Sequence, residues 1–179
     1  MTDNQATAKP LSIEEALKTA LEFETKVRDV YREAVEVASG ATGERVFGVL
    51  AREEQDHIDY LNSRLEEWHK TGKITPEKIA SVIPSKKVIA EQVKDLQTHL
   101  TPDNLKLELG MLQKALTMEE QTSAFYAKMV AEMHDDEQSM FAQFLEIEDG
   151  HVAVVQAELD MLQGTGFFFD FGEFNLEAG

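Results

Sequence analysis

Apolar residues recur at Leu17, Leu21, Val27, Val30, Ala34 and Val37, close to the three-to-four spacing that lines one face of an α-helix. Ser12 and Glu15 ahead of this run have the spacing of a capping box, and Gly40 follows it. A first helix is therefore expected from Ser12 to about Ala38. A second should open near Thr42 and run to about Lys70, stopping at Gly72. Residues 72–102 contain Pro76, Pro84 and Pro102 with short apolar groups between them. That pattern predicts a long crossover with one or two minor helices. A third helix should follow Thr101-Pro102-Asp103 and reach about Met133. Asp135 and Asp136 suit the start of a fourth, ending near Gln163 before Gly164. Helices of about 25 residues would be roughly 37 Å long, which is bundle length.

After Gly164 the pattern changes. Phe167, Phe168, Phe169, Phe171 and Phe174 crowd a short tail over residues 164–179. So much aromatic surface is costly to leave in water. The tail is expected to dock on the bundle or on a second subunit, and a homodimer is the expected assembly.

The chain also repeats itself. The first helix aligns with the third 95 positions later, with Leu17 on Leu112, Ala20 on Ala115, Leu21 on Leu116, Glu24 on Glu119 and Tyr31 on Tyr126. The second aligns with the fourth 94 positions later, with Phe47 on Phe141, Glu54 on Glu148 and His57 on His151. The expected fold is all-α: one helical hairpin used twice and joined by a crossover, forming an antiparallel four-helix bundle over residues 12–163.

The residues kept in register carry the candidate chemistry. Glu54 and His57 are three apart and so share a helix face, as do Glu148 and His151. Glu24 and Glu119 lie on the stripes of Leu17, Leu21, Leu112 and Leu116, where a carboxylate is costly unless it is paired or binds a metal. One Glu from each of two helices and Glu-x-x-His from each of the other two is the ligand set of ferritin-like di-metal bundles. Four carboxylates offset the charge of two divalent ions, and two imidazoles complete the set. Oxygen-rich ligation with some nitrogen suits iron, with manganese or a mixed-metal pair as the alternative. Tyr31 and Tyr126, two turns beyond Glu24 and Glu119, are candidates to hydrogen-bond a ligand carboxylate on a facing helix or simply to fill the core.

Other residues drop out. Glu66-x-x-His69 matches the same short motif, but His69 lies about 120° round the helix from His57 and has no counterpart in the repeat. It is expected to be a surface pair. His99 and His134 have no Glu at that spacing and are expected to be exposed. Met111, Met118, Met129, Met133, Met140 and Met161 are expected to fill core space, because thioether ligands would suit copper(I) instead.

Composition narrows the classes. Seventeen Lys+Arg face 34 Asp+Glu, for a formal net charge of −17. Nucleic acid and anionic membranes, which call for a basic footprint, are not expected partners. The chain has no cysteine, which excludes thiolate iron centres and makes any electron donor a separate molecule. Met1 to Pro10 lacks the apolar stretch of a signal peptide, and no run is long enough to span a membrane. The expected location is the cytoplasm.

The chain resembles the rubrerythrin branch of the ferritin-like superfamily. Ala20-Leu21-Glu22-Phe23-Glu24 with Tyr31 and Glu53-Glu54-Gln55-Asp56-His57 carry the likeness in the first half. In the second half the carriers are Ala115-Leu116-Thr117-Met118-Glu119 with Tyr126 and Glu148-Asp149-Gly150-His151. The resemblance implies that Glu54 and Glu148 bridge two irons while Glu24 and Glu119 cap one each. It also implies reduction of hydrogen peroxide, or oxidation of iron(II) by oxygen or peroxide. Two departures stand out. The four cysteines of a rubredoxin domain are missing from this chain. The family's further Glu, one turn beyond the capping Glu of the third helix, is replaced by Thr122. Three functions remain open: a di-iron oxidoreductase reducing hydrogen peroxide or oxygen with an external electron donor, a ferroxidase or iron-handling protein, and a bundle whose metal is mainly structural and whose tail mediates interactions.

Overall fold

The computed structural model describes residues 10–38, 40–84, 86–92 and 105–165. His99 and the phenylalanines of the tail lie outside these residues. Four long helices and one short helix are present among them: α1 (Ile13–Val37), α2 (Ala41–Thr71), α3 (Lys86–Gln92), α4 (Leu105–Glu132) and α5 (Asp135–Thr165).

The helix ends follow local chemistry. Ser12 Oγ accepts a hydrogen bond from the Glu15 N–H, and the Glu15 carboxylate accepts from the Ser12 N–H at 2.8 Å, closing the expected capping box on α1. Gly72 ends α2 with φ +67°, a left-handed conformation that suits a residue without Cβ, and its N–H donates to Trp68 O. One end differs from expectation. Helix α5 continues through Gly164 to Thr165, because a glycine only weakens a final helical turn and does not forbid it.

Helices α1 and α2 pack as one hairpin and α4 and α5 as the other, with α1 against α4 and the short α3 on α5. This is the all-helical ferritin-like bundle that the repeat predicts. Its core has two apolar layers. One contains Val27, Tyr31, Phe47, Leu50, Leu112, Val154 and Leu159; the other contains Leu17, Ala20, Leu61, Tyr126, Phe141 and Phe144. Each long helix passes from one layer to the other, and the residues between them are Glu24, Glu54 with His57, Glu119, and Glu148 with His151. The polar residues of the repeat are thus walled by hydrocarbon above and below.

The crossover after Gly72 is fastened to the bundle by hydrogen bonds. Arg64 donates to Thr75 O at 2.6 Å, Tyr60 OH donates to Glu77 O at 3.0 Å, and the Ile79 N–H donates to Gln143 Oε1 at 3.1 Å. It also lies close on α5: a Cβ added at Gly150 would stand 3.3 Å from Pro84 O. Glycine at that position, one residue before His151, is what lets the crossover lie so near the helix.

Candidate metal centre

Glu24, Glu54, His57, Glu119, Glu148 and His151 are all fully buried. Their ligand atoms fall into two overlapping quartets, each with all atoms within 4.8 Å of one another. Glu24, Glu54, His57 and Glu148 form one; Glu54, Glu119, Glu148 and His151 form the other. The quartets share Glu54 and Glu148. This overlap is compatible with two adjacent cation positions that would share Glu54 and Glu148.

Both histidines turn Nδ1 toward the carboxylates. His57 Nδ1 lies 3.2 Å from Glu24 and 3.5 Å from both Glu54 and Glu148. His151 Nδ1 lies 2.8 Å from Glu54 and 3.8 Å from Glu119 and Glu148. The two rings are nearly parallel, 12° apart in plane with centroids separated by 5.4 Å. The expected role of the tyrosines in bonding a facing carboxylate is met reciprocally. Tyr31 OH, on α1, donates to Glu119 on α4, and Tyr126 OH, on α4, donates to Glu24 on α1.

Such a concentration of buried carboxylates shifts protonation. Burial, and then the charge of Glu24, push Glu54 well above the usual carboxyl range. Burial followed by the charges of Glu24, Glu54 and Glu119 does the same to Glu148. Burial and the charge of Glu54 raise Glu119 from 4.5 to about 7. Burial also works to raise Glu24, but the hydrogen bond and charge of His57, with the proximity of Glu54 and the bond from Tyr126, outweigh it and pull Glu24 to about 2. His57 rises above its ordinary value because the adjacent carboxylates of Glu24 and Glu54 outweigh burial, whereas burial lowers His151.

The donor set fits a pair of cations. Both oxygens of Glu54 and Glu148, Glu119 Oε2, and both ring nitrogens of His151 are buried without a hydrogen-bond partner among the described residues. Buried polar atoms are rarely left so. Even the 2.8 Å approach of His151 to Glu54 lacks hydrogen-bond alignment. Lone pairs converging without donors are what divalent ions satisfy, and oxygen with imidazole nitrogen is iron or manganese chemistry.

His69 is exposed, outside the cluster, as expected, but its partner is Glu14 at 3.2 Å, while Glu66 pairs with Lys70. His134 is exposed. Thr122 is buried and donates its hydroxyl back to Met118 O at 3.0 Å, so the position one turn beyond Glu119 offers no carboxylate. Glu120 is exposed and does not replace it.

The Rubrerythrin family model matches residues 15–159, a span that contains all six residues of the cluster and both tyrosines. The chain belongs to the rubrerythrin family. This is a ferritin-like di-iron family, so a metal cofactor is expected where the two quartets lie. No curated protein and no solved structure matches the chain. Among the described residues, no helix is long and apolar enough to cross a membrane.

One buried carboxylate in the centre was not singled out from the sequence. Glu53 is 5% exposed and offers an oxygen within 4.8 Å of a ring nitrogen of His57 and of His151. The signal available was its spacing: Glu53 precedes His57 by four residues and therefore shares its helix face.

Proposed function

We propose that the bundle is a non-haem di-iron oxidoreductase that reduces hydrogen peroxide, or oxygen, with electrons from a separate donor. The observation that carries this reading is the pair of buried quartets sharing Glu54 and Glu148. Glu24 with His57 would hold one iron, Glu119 with His151 the other, and Glu54 and Glu148 both. Manganese in one or both positions is the alternative loading. Two irons held there would supply the redox chemistry: two electrons, which with two protons convert one hydrogen peroxide to two waters, whereas oxygen would need four electrons and four protons from the external donor and solvent. The chain's part is to hold and screen. Tyr31 and Tyr126 fix one oxygen of Glu119 and Glu24, which limits how far those carboxylates swing. The apolar layers keep bulk water and charged solutes from the centre.

A second reading is iron handling: oxidation of iron(II) and its storage or transfer. It is favoured by Thr122 standing where the family has a further carboxylate, and by the net charge of −17, which concentrates cations near the surface. Anaerobic loading with iron(II), followed by one equivalent of hydrogen peroxide or oxygen, separates the two. Fast stoichiometric oxidation seen in the near-ultraviolet, followed by re-reduction and a second round, is expected for the oxidoreductase. Continued turnover of excess iron(II) would favour iron handling, and an inert centre would sink both.

A further inference from the structure

Glu53 has a task that the ligand set does not assign. Its Oε2 accepts a hydrogen bond from Ser81 Oγ at 2.6 Å, and its Oε1 accepts from the Val82 N–H at 3.0 Å. Both donors belong to the crossover. A carboxylate has about four lone-pair sites, so roughly two remain for other donors. The two histidines also stand close, each with a ring nitrogen within 4.8 Å of a Glu53 oxygen.

The histidines need such an acceptor. Their Nδ1 atoms face the glutamates. A neutral imidazole that gives its Nδ1 lone pair to a cation carries its proton on Nε2. Nε2 of His57 and Nε2 of His151 are both buried without a hydrogen-bond partner among the described residues. The rings stack with centroids 5.4 Å apart, and one Glu53 oxygen lies within 4.8 Å of a nitrogen of each, so a single acceptor group can serve both.

We propose that Glu53 is the positioning residue of the metal centre: its carboxylate accepts the Nε2–H of metal-bound His57 and His151, while Ser81 and Val82 hold that carboxylate in place. The crossover thereby becomes part of the frame that orients both imidazoles. This rests on the two-metal reading above. Helix α5 offers no equivalent, since the repeat partner of Glu53 is Ile147. One carboxylate therefore serves both rings.

The test uses the full-length chain, with cobalt(II) as the probe. Affinity is measured against a competing chelator, and proton NMR of the cobalt-loaded protein follows the exchangeable, strongly shifted imidazole N–H signals. Glu53→Gln keeps the size of the side chain and an acceptor for the Val82 N–H. It is expected to weaken cobalt binding about 10- to 100-fold and to speed exchange of those N–H protons with solvent. Ser81→Ala, on an exposed stretch of the crossover, is expected to act in the same direction, and Ser81→Thr, which restores the hydroxyl, to recover most of the loss. Asp56→Asn removes an exposed charge from the same helix and should change nothing. If Glu53→Gln does not fold, the contrast between Ser81→Ala and Ser81→Thr decides. Wild-type binding with unaffected variants, or unchanged N–H exchange in Glu53→Gln, overturns the role of Glu53 alone. A wild-type chain that takes up no cobalt sinks the two-metal reading and this proposal with it.

Discussion

Removing metal from this bundle should make its stability fall as pH rises from 5.5 to 7.5. Glu119 goes from 4.5 to about 7 on folding without metal, a preference of roughly 3 kcal/mol for the protonated form. A carboxyl raised in this way stabilises the fold fully below its unfolded value and loses that contribution as pH climbs through its folded value. By the same linkage, about 2 kcal/mol of the loss falls between pH 5.5 and 7.5. Glu54 and Glu148, raised further by burial and by neighbouring carboxylates, add to it. So does His57, whose contribution starts to fall once pH passes its unfolded value near 6.5 and is lost as pH rises through its raised folded value. Glu24, lowered to about 2, stays ionised throughout this range and contributes no slope. His151, lowered by burial, is the one opposing group, since its contribution is lost as pH falls. For a chain of this size, 2 kcal/mol corresponds to a Tm change of ~4–8 °C. Circular-dichroism melts of metal-free and anaerobically iron(II)-loaded protein at both pH values provide the assay. The metal-free form should melt lower at pH 7.5. The gap to the loaded form should widen there, because cations cancel the repulsion and no longer compete with protons. Equal gaps at the two pH values would mean that the four glutamates do not act as a buried cluster.

Two further outcomes follow. Tyr31→Phe and Tyr126→Phe each delete a buried hydrogen bond to a charged group and leave a carboxylate oxygen unpaired. Each should lower the stability of the loaded protein by about 1–3 kcal/mol in denaturant titrations, and a change under 0.5 kcal/mol would show that the phenols only fill space. The density of phenylalanines at 167–174 leads us to propose a homodimer in solution; sedimentation at micromolar concentration should give twice the 20.1 kDa chain mass, and a monomer would contradict the proposal.

The repeat explains why so much of the centre was legible. Glu24 on Glu119 and Glu54-x-x-His57 on Glu148-x-x-His151 survive as matched pairs among apolar residues, because both halves of a two-fold site must present the same donors. His69 failed that symmetry and lies at the surface. The same filter hid Glu53. Its counterpart is Ile147, and its partners Ser81 and Val82 lie in a crossover that the repeat does not contain. The helix boundaries were set by local signals where those were strong, as at Ser12 with Glu15 and at Gly72. They were softer at Gly164, where a single glycine opposes a helix already packed along α4. The pairing of each tyrosine with the capping Glu of the other hairpin depended on how α1 and α4 lie together, which periodicity alone does not specify.

Metal stoichiometry is the sharpest check on the two-metal centre. Apoprotein titrated anaerobically with iron(II), then desalted and analysed for metal, should retain two ions per chain. His57→Ala and His151→Ala should each weaken one of the two positions. Glu54→Ala should weaken both, since both quartets include that carboxylate, while His69→Ala should leave both intact. Wild-type retention of fewer than one ion per chain, or a His69→Ala loss equal to that of His57→Ala, would contradict the assignment of these six residues to a two-metal centre.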